Sequence, residues 1–260
     1  MKFCATILVI LMSALSAGAA IHTERVEYKH GDVLLEGYLA YDDSTTDKRP
    51  GVLIVHEWTG MNPYVEKRAE QLAGMGYVAF ALDMYGKGVR AKDAKEAASL
   101  AGKYKDDRKL MRTRAQAGLH VLTKQSRTDA TRVAAIGYCF GGTTVLELAR
   151  AGTPVKGVVS FHGDLATPTP EDAKNIKAKV LACHGADDPF VPAKVVSDFE
   201  EEMRKGGADW QLISYGNAVH SFTNPGAGND NKRGAAYNAD ADRRSWAAMQ
   251  QFFAEIFGKK

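Results

Sequence analysis

The stretch "RVAAIGYCFGGTTVLELAR", residues 132–150, decides the fold. Its first part is a short apolar run of the kind found in buried strands. Its last part, from Thr143, has apolar residues at helical spacing. Between them Gly137, Gly141 and Gly142 surround Cys139. A strand that turns at once into a helix brings two backbones nearly into contact, so the neighbours of the turn residue must be small, and that residue projects above the sheet. The free N–H groups and dipole of the helix start then favour negative charge on a thiol placed there. Taken alone, this pattern admits two readings: a nucleophilic thiol, or a small residue packed in a tight turn.

The chain on either side repeats the alternation. "GVLIVHEW", "GYVAFALDMY", "VKGVVSFHG", "KVLACHGADD" and "WQLISYG" read as further strands. Helical patterns cover about residues 63–75, 93–103, 107–125, 142–151, 193–205 and 239–257, the last with Trp246, Met249, Phe252, Phe253 and Ile256 as its apolar face. Near-continuous apolar strands alternating with helices predict an α/β class fold: a mostly parallel central sheet with helices on both faces. "VEYKHGDVLLEGYLAY" reads as an N-terminal antiparallel hairpin turning at His30-Gly31-Asp32. Two long polar loops, "DLATPTPEDAKN" and "TNPGAGNDNKRGAAYN", follow strand ends, where ligands bind in such sheets. The charged run "DDRKLMRTR", residues 106–114, reads as a solvated helix face.

Two other strand ends carry partners for Cys139. "HGADDPFVP", residues 184–192, offers Asp188, with Asp187 as its rival; the register with Val191-Pro192, which starts the next helix, favours Asp188. "NAVHSFTNP", residues 217–225, offers His220. The order Cys139, Asp188, His220 matches the nucleophile–acid–base order of the α/β-hydrolase fold. The chemistry needs this set. A thiol is only a few per cent ionised at neutral pH; a histidine takes its proton, and an aspartate holds the imidazole tautomer. "IVHEWTGMNPYV", residues 54–65, leaves an early strand where the fold places an oxyanion donor. The backbone N–H groups of Trp58 and Phe140 are the candidates, and Glu57 is expected close to the thiol.

Composition sets the frame. The chain has 260 residues, 25% charged and 45% hydrophobic, with a net charge of +3. That fits one domain over residues 21–260, and without a basic stripe it argues against a nucleic-acid partner. Residues 1–20, "MKFCATILVILMSALSAGAA", read as a signal peptide cleaved near Ala19 or Ala20: Lys2 leads a short apolar run too short to span a bilayer. The mature protein is therefore expected to be exported, periplasmic or secreted. Cleavage leaves Cys139 and Cys183. With one strand between them, about 9–10 Å separates them, beyond the roughly 7 Å a disulfide allows, so both are expected to be free. His162 and His184 sit at strand ends without metal-ligand spacing; they read as hydrogen-bonded strand-end residues, and no metal is expected. His56 adjoins Glu57. Trp58, Tyr85, Phe161 and Phe222 adjoin the site loops and are candidates for the pocket mouth.

Taken in order, "HEWTGMN", "ALDMYG", "GYCFGG", "HGADDPFVP" and "HSF" make the chain, from about Val26 to Phe257, resemble the dienelactone hydrolase family. The resemblance implies a Cys139–Asp188–His220 triad that hydrolyses a small ester or lactone through an acyl-cysteine intermediate, with no metal or organic cofactor. It also implies that Glu57 holds the resting thiol neutral until substrate displaces it. The substrate-binding candidates are Lys87, Tyr85, Phe222 and Asn224. In the family two arginines hold a substrate carboxylate; here Lys87, with Arg90 nearby, and Asn224 stand around those places. Losing the arginine fork predicts weaker selection for anionic substrates. Two rivals remain at this level: a thiol redox protein reacting with peroxide through Cys139, and a non-catalytic ligand-binding module on the same fold.

Overall fold

Alternation along the strands decides the layering. Successive strand residues face opposite sides of a sheet, and the buried side chains divide accordingly. Leu53 and Val55 pack with Met111, Leu122, Val145 and Phe199, whereas Val52 and Ile54 pack with Leu72, Met249 and Phe253. The computed structural model describes residues 20–258. The expected leader, residues 1–20, lies outside the described residues except for Ala20.

Eight strands form one sheet: β1 (Ile21–His30), β2 (Val33–Asp42), β3 (Arg49–Val55), β4 (Val78–Leu82), β5 (Thr128–Tyr138), β6 (Gly157–Phe161), β7 (Lys179–Gly185) and β8 (Trp210–Tyr215). Their spatial order is β1-β2-β4-β3-β5-β6-β7-β8. β1–β2 and β2–β4 are antiparallel, and every other pair is parallel. This is an α/β-hydrolase fold with an N-terminal antiparallel hairpin. The helices are α1 (Pro63–Gly74), α2 (Ala94–Asp106), α3 (Arg108–Lys124), α4 (Phe140–Arg150), α5 (Ala193–Gly206) and α6 (Ala239–Phe257). α1 and α6 cover one face, and α2 to α5 the other. Asn62, Asp93, Asp107 and Asn238 cap α1, α2, α3 and α6 through their side chains, each accepting a backbone N–H. No described helix is long and apolar enough to cross a membrane.

Three expectations need correction. α4 begins at Phe140, two residues before the expected Gly142, so the helix starts directly after Cys139. The loop after β6 carries a short 3-10 turn at Pro170–Asn175. The charged run 106–114 is only partly solvated. Arg114 is 3% exposed and donates to the Met84 carbonyl at 2.9 Å and to His30 Nδ1 at 3.0 Å. Arg112 bridges Glu147 and Asp172, each at 2.7 Å, and Glu147 also pairs with Arg150, which reaches Glu202 at 2.7 Å. The fully buried Arg150 and Glu147 are tolerable only because every charge in this chain has a counter-charge.

Candidate active site

The strand-to-helix turn is as close as the sequence demands. A Cβ on Gly137 would lie 2.0 Å from the Gly141 carbonyl oxygen, and one on Gly141 would lie 2.2 Å from that of Val55. Only glycine allows β5, α4 and the end of β3 to meet at these distances. Between them Cys139 adopts φ 54°, ψ −115°, a conformation that costs a non-glycine residue about 1–3 kcal/mol. Its N–H donates to the Phe161 carbonyl at 3.0 Å and to His162 Nδ1 at 3.1 Å. His162, itself at φ 41°, is fully buried, and its Nε2–H donates to Thr223 Oγ1 at 2.7 Å. Burial, followed by the charge of His220, holds the His162 imidazole well below the usual histidine range, so it stays neutral and accepts from the Cys139 backbone.

Asp188 and His220 converge from two other strand ends. Gly185 lets β7 end against the chain that follows β8: a Cβ there would lie 2.7 Å from the Ala218 and Val219 carbonyl oxygens. Asp188 is 4% exposed, while Asp187 is exposed. One Asp188 oxygen accepts the Phe190 N–H at 2.8 Å, an Asx turn, and the other accepts His220 Nδ1–H at 2.8 Å. That leaves Nε2 available to Cys139, whose interaction with the ring raises the His220 pKa. Burial opposes charge on the imidazole, but the electrostatic interaction with Cys139 and the bond to Asp188 outweigh it and raise the pKa to about 10.

Glu57 is buried, at 6% exposure. Its Oε2 accepts from Asn224 Nδ2 at 2.6 Å, and it also bonds Ser221. Burial raises its pKa; the Asn224 bond and the charges of His220 and Arg68 oppose that rise. Its hydrogen bonds thus run to the histidine loop, not to the thiol beside which it was expected. Trp58 stands in the turn after β3, and Phe140 is the first residue of α4, where an N–H has no partner within the helix. His56 ties this corner to β4: its Nδ1 contacts the Glu57 carbonyl at 2.6 Å, and its Nε2 accepts the Met84 N–H at 3.2 Å.

Cys139 and His220 line a cavity of about 510 Å³, with Asp188 outside its wall, and of the four substrate-binding candidates none lines it. Lys87 lies on the N-terminal hairpin, paired with Glu27 and, at 3.6 Å, with Glu36. Tyr85 is buried; its hydroxyl donates to the Trp58 carbonyl at 2.9 Å and so holds that turn from behind. Phe222 is fully buried edge-on to His162, with ring centroids 5.1 Å apart. Asn224 is spent on Glu57. Of the aromatic mouth candidates only Trp58 reaches the cavity; Phe161 is buried in the core. Arg90 donates to the Met61 carbonyl.

Sequence reasoning missed Lys105, Phe190 and Arg233, which do line the cavity. Phe190 lies inside a quoted motif and Arg233 inside a flagged loop, but Lys105 carries no local signal. His184 is also a correction: its buried Nδ1 has no hydrogen-bond partner among the described residues. Cys183 is a free thiol like Cys139, and β6 separates β5 from β7 as expected. Burial pushes the Cys183 thiol up to about 12. A larger hollow of about 650 Å³ lies beside α5, lined by Leu165, Phe199 and Glu202 among others and by none of the sequence candidates. No cluster of three or more potential metal ligands occurs among the described residues.

The sequence profile of the dienelactone hydrolase family matches residues 35–257. The crystal structure of a dienelactone hydrolase-like promiscuous phosphotriesterase from metagenomic libraries is 43% identical, covering 92% of this chain and 99% of its own, with a TM-score of 0.87. The protein m3DLH is 40% identical, covering 91% and 99%, with a TM-score of 0.88. "Protein usf" of Aquifex pyrophilus is 28% identical over 89% of this chain and 98% of its own. With the profile spanning β3 to β8, the turn and the histidine loop alike, the chain belongs to the dienelactone hydrolase family, hydrolases of esters and lactones on the α/β-hydrolase fold.

Proposed function

We propose that the protein cleaves a small ester or lactone through an acyl-cysteine intermediate on Cys139, His220 and Asp188, and that it does so after export with residues 1–20 removed. The observation carrying this reading is the position of His220, hydrogen-bonded to Asp188 at 2.8 Å and lining the same cavity as Cys139. His220 Nε2 takes the Sγ proton, and the thiolate attacks the substrate carbonyl carbon. The resulting oxyanion is held by the Trp58 and Phe140 N–H groups. As the C–O bond breaks, the His220 imidazolium protonates the leaving oxygen. Water, deprotonated by His220, then attacks the thioester and releases the acid and the thiol. Asp188 keeps the proton on Nδ1 throughout and stabilises the imidazolium. In this scheme Glu57 tunes the charge around the histidine loop and restrains thiolate formation.

The test is a panel of lactones, aryl esters, thioesters and, because of the phosphotriesterase relative, a phosphotriester. Cys139→Ala is expected to abolish turnover, and mass spectrometry of wild type quenched with an activated ester should find one acyl group on Cys139. Turnover that survives in Cys139→Ala would overturn the cysteine mechanism, and a sulfenate formed with peroxide in the absence of any acyl adduct would overturn the proposal in favour of the thiol redox reading. Amino-terminal sequencing of the exported protein should begin at Ala20 or Ile21; an intact Met1 would refute export with cleavage.

A further inference from the structure

The peptide unit joining Glu57 to Trp58 is held by its oxygen. That oxygen, the Glu57 carbonyl, accepts His56 Nδ1–H at 2.6 Å and the Gly60 N–H at 3.2 Å. The N–H of the same unit, that of Trp58, has no backbone acceptor among the described residues. A peptide is planar and trans, so its C=O and N–H point in opposite directions, and fixing the oxygen aims the hydrogen. The next carbonyl, that of Trp58, accepts the Tyr85 hydroxyl at 2.9 Å. Trp58 lines the same cavity as Cys139, while His56 and Tyr85 lie behind its wall. The His56 tautomer follows from its partners: Nε2 accepts the Met84 N–H at 3.2 Å, so the proton sits on Nδ1. The ring is fully buried, and burial lowers its pKa, so it stays neutral. Packing fixes its plane. It lies edge-on to Tyr85, with ring centroids 4.9 Å apart, and nearly parallel to Phe140 at 6.1 Å.

We propose that His56 and Tyr85 are positioning residues that aim the Trp58 N–H at the place where negative charge develops above Cys139. The inference rests on the hydrolase reading above and adds to it two buried side chains that do not reach the substrate. An oxyanion donor is effective when its dipole is already aimed and need not turn during the reaction. His56 supplies that aim through the Glu57 oxygen, and Tyr85 restrains the peptide on the other side of Trp58. A donor on the Glu57 oxygen also polarises the amide, which strengthens its N–H as a donor in turn. Burying an imidazole away from water is unfavourable unless both nitrogens are bonded, and here both bonds go to backbone groups of this one corner. Tyr85, expected at the substrate, thus acts through the Trp58 backbone instead.

The experiment compares wild type with His56→Leu, His56→Asn and Tyr85→Phe in three measurements: kcat and KM on an aryl ester, the Ki of an aldehyde, and alkylation of Cys139 by iodoacetamide. The aldehyde carbon bonds Sγ to give a hemithioacetal; the thiol proton ends on its oxygen, which takes the place of the ester oxyanion. Iodoacetamide loses iodide to Sγ and builds no oxyanion. Misaiming the donor in His56→Leu should lower kcat by about ten- to a hundredfold, bounded by the roughly 10²–10³ that outright loss of a donor costs. KM should change little, the aldehyde should weaken by a similar factor, and the alkylation rate and its pH profile should not move. His56→Asn, which puts an amide N–H near the position of Nδ1, should recover part of the loss. Tyr85→Phe, losing one hydroxyl, should show the same pattern at smaller amplitude, and it carries the test if circular dichroism finds His56→Leu unfolded. Unchanged turnover in His56→Leu and Tyr85→Phe, with Cys139→Ala inactive, would overturn the inference and leave the hydrolase reading intact. Alkylation slowed as much as turnover would also overturn it, because the thiol itself would then be disturbed. If wild type turns over no ester, the hydrolase reading fails and the aldehyde decides the inference alone: a weaker Ki in the variants upholds it, and an equal one overturns it.

Discussion

Cys139 and His220 open onto one cavity, yet the backbones that carry them are held by different means. The cysteine turn is set by close backbone contacts: Gly137 admits that between β5 and α4, Gly141 that between α4 and the end of β3, and Phe161 and His162 at the end of β6 supply the acceptors for its N–H. The histidine sits in a long loop held by distant chain. Gly234 and Ala236 bridge it, Asn238 N–H bonds the Phe222 carbonyl at 3.0 Å, and Glu57 from β3's end holds Asn224. A steric constraint shapes the first region, and a set of single hydrogen bonds holds the second. Substitution should therefore act through folding at the turn and through geometry and charge at the loop.

The largest expected effect is at the meeting point. Asp188→Asn leaves the shape intact but lets the imidazole adopt the wrong tautomer, so kcat should fall by about 10⁴. Steady-state kinetics beside an unchanged melting curve checks this; a loss under tenfold would mean that Asp188 only anchors the loop. Next is the charge link between the two regions. In Cys139→Ser the sulfur whose interaction helps raise His220 is replaced by a far less acidic hydroxyl, while burial and Asp188 remain. The His220 pKa should drop from about 10 by at least one unit, read by NMR titration of the ring. In wild type the alkaline limb of kcat/KM should fall only as pH rises through about 10, where the imidazolium that protonates the leaving group loses its proton. An alkaline limb near 7 would contradict the cysteine–histidine pair.

The turn and the loop can then be set against each other by one methyl group. Gly141→Ala drives a Cβ to 2.2 Å from backbone, which cannot step aside, and should cost about 3 kcal/mol or more in urea unfolding. Gly234→Ala, at φ 78°, meets only the side chains of Pro189 and Phe190, at 2.9 and 3.2 Å, and should cost about 1–2 kcal/mol. Its activity should suffer more than its stability, because the bridge to His220 moves. Similar unfolding midpoints for the two variants would erase the contrast. The smallest effect belongs to Glu57→Gln, which can still accept from Asn224. Removing its charge should speed iodoacetamide alkylation of Cys139 near neutral pH, by less than about tenfold. An unchanged rate and pH profile would place Glu57 outside the reach of the thiol.

Much of the molecule is legible in the chain because the relevant physics is local. Period-two and period-3.6 patterns mark the strands and helices, and the predicted bounds of α6 agree with those observed, Ala239–Phe257. The glycines around Cys139 report a backbone contact within five residues of itself. Asp188 is distinguishable from Asp187 because an Asx turn and a helix start fix its register. The chain order of the three site residues follows from the alternation of strands. Other features depend on how distant surfaces meet. Lys87 and Arg233 are both basic residues in loops after strands; only packing shows one neutralised by the hairpin and the other unpaired in the cavity. Arg114 and Arg150 sit in charged or amphipathic segments, and only the approach of other elements makes them buried. Lys105 reaches the site because α2 packs across it. A side chain's neighbours along the chain are set by sequence spacing, but its partners across the fold are set by which layers touch, and charge pairing in a cavity belongs to the second kind.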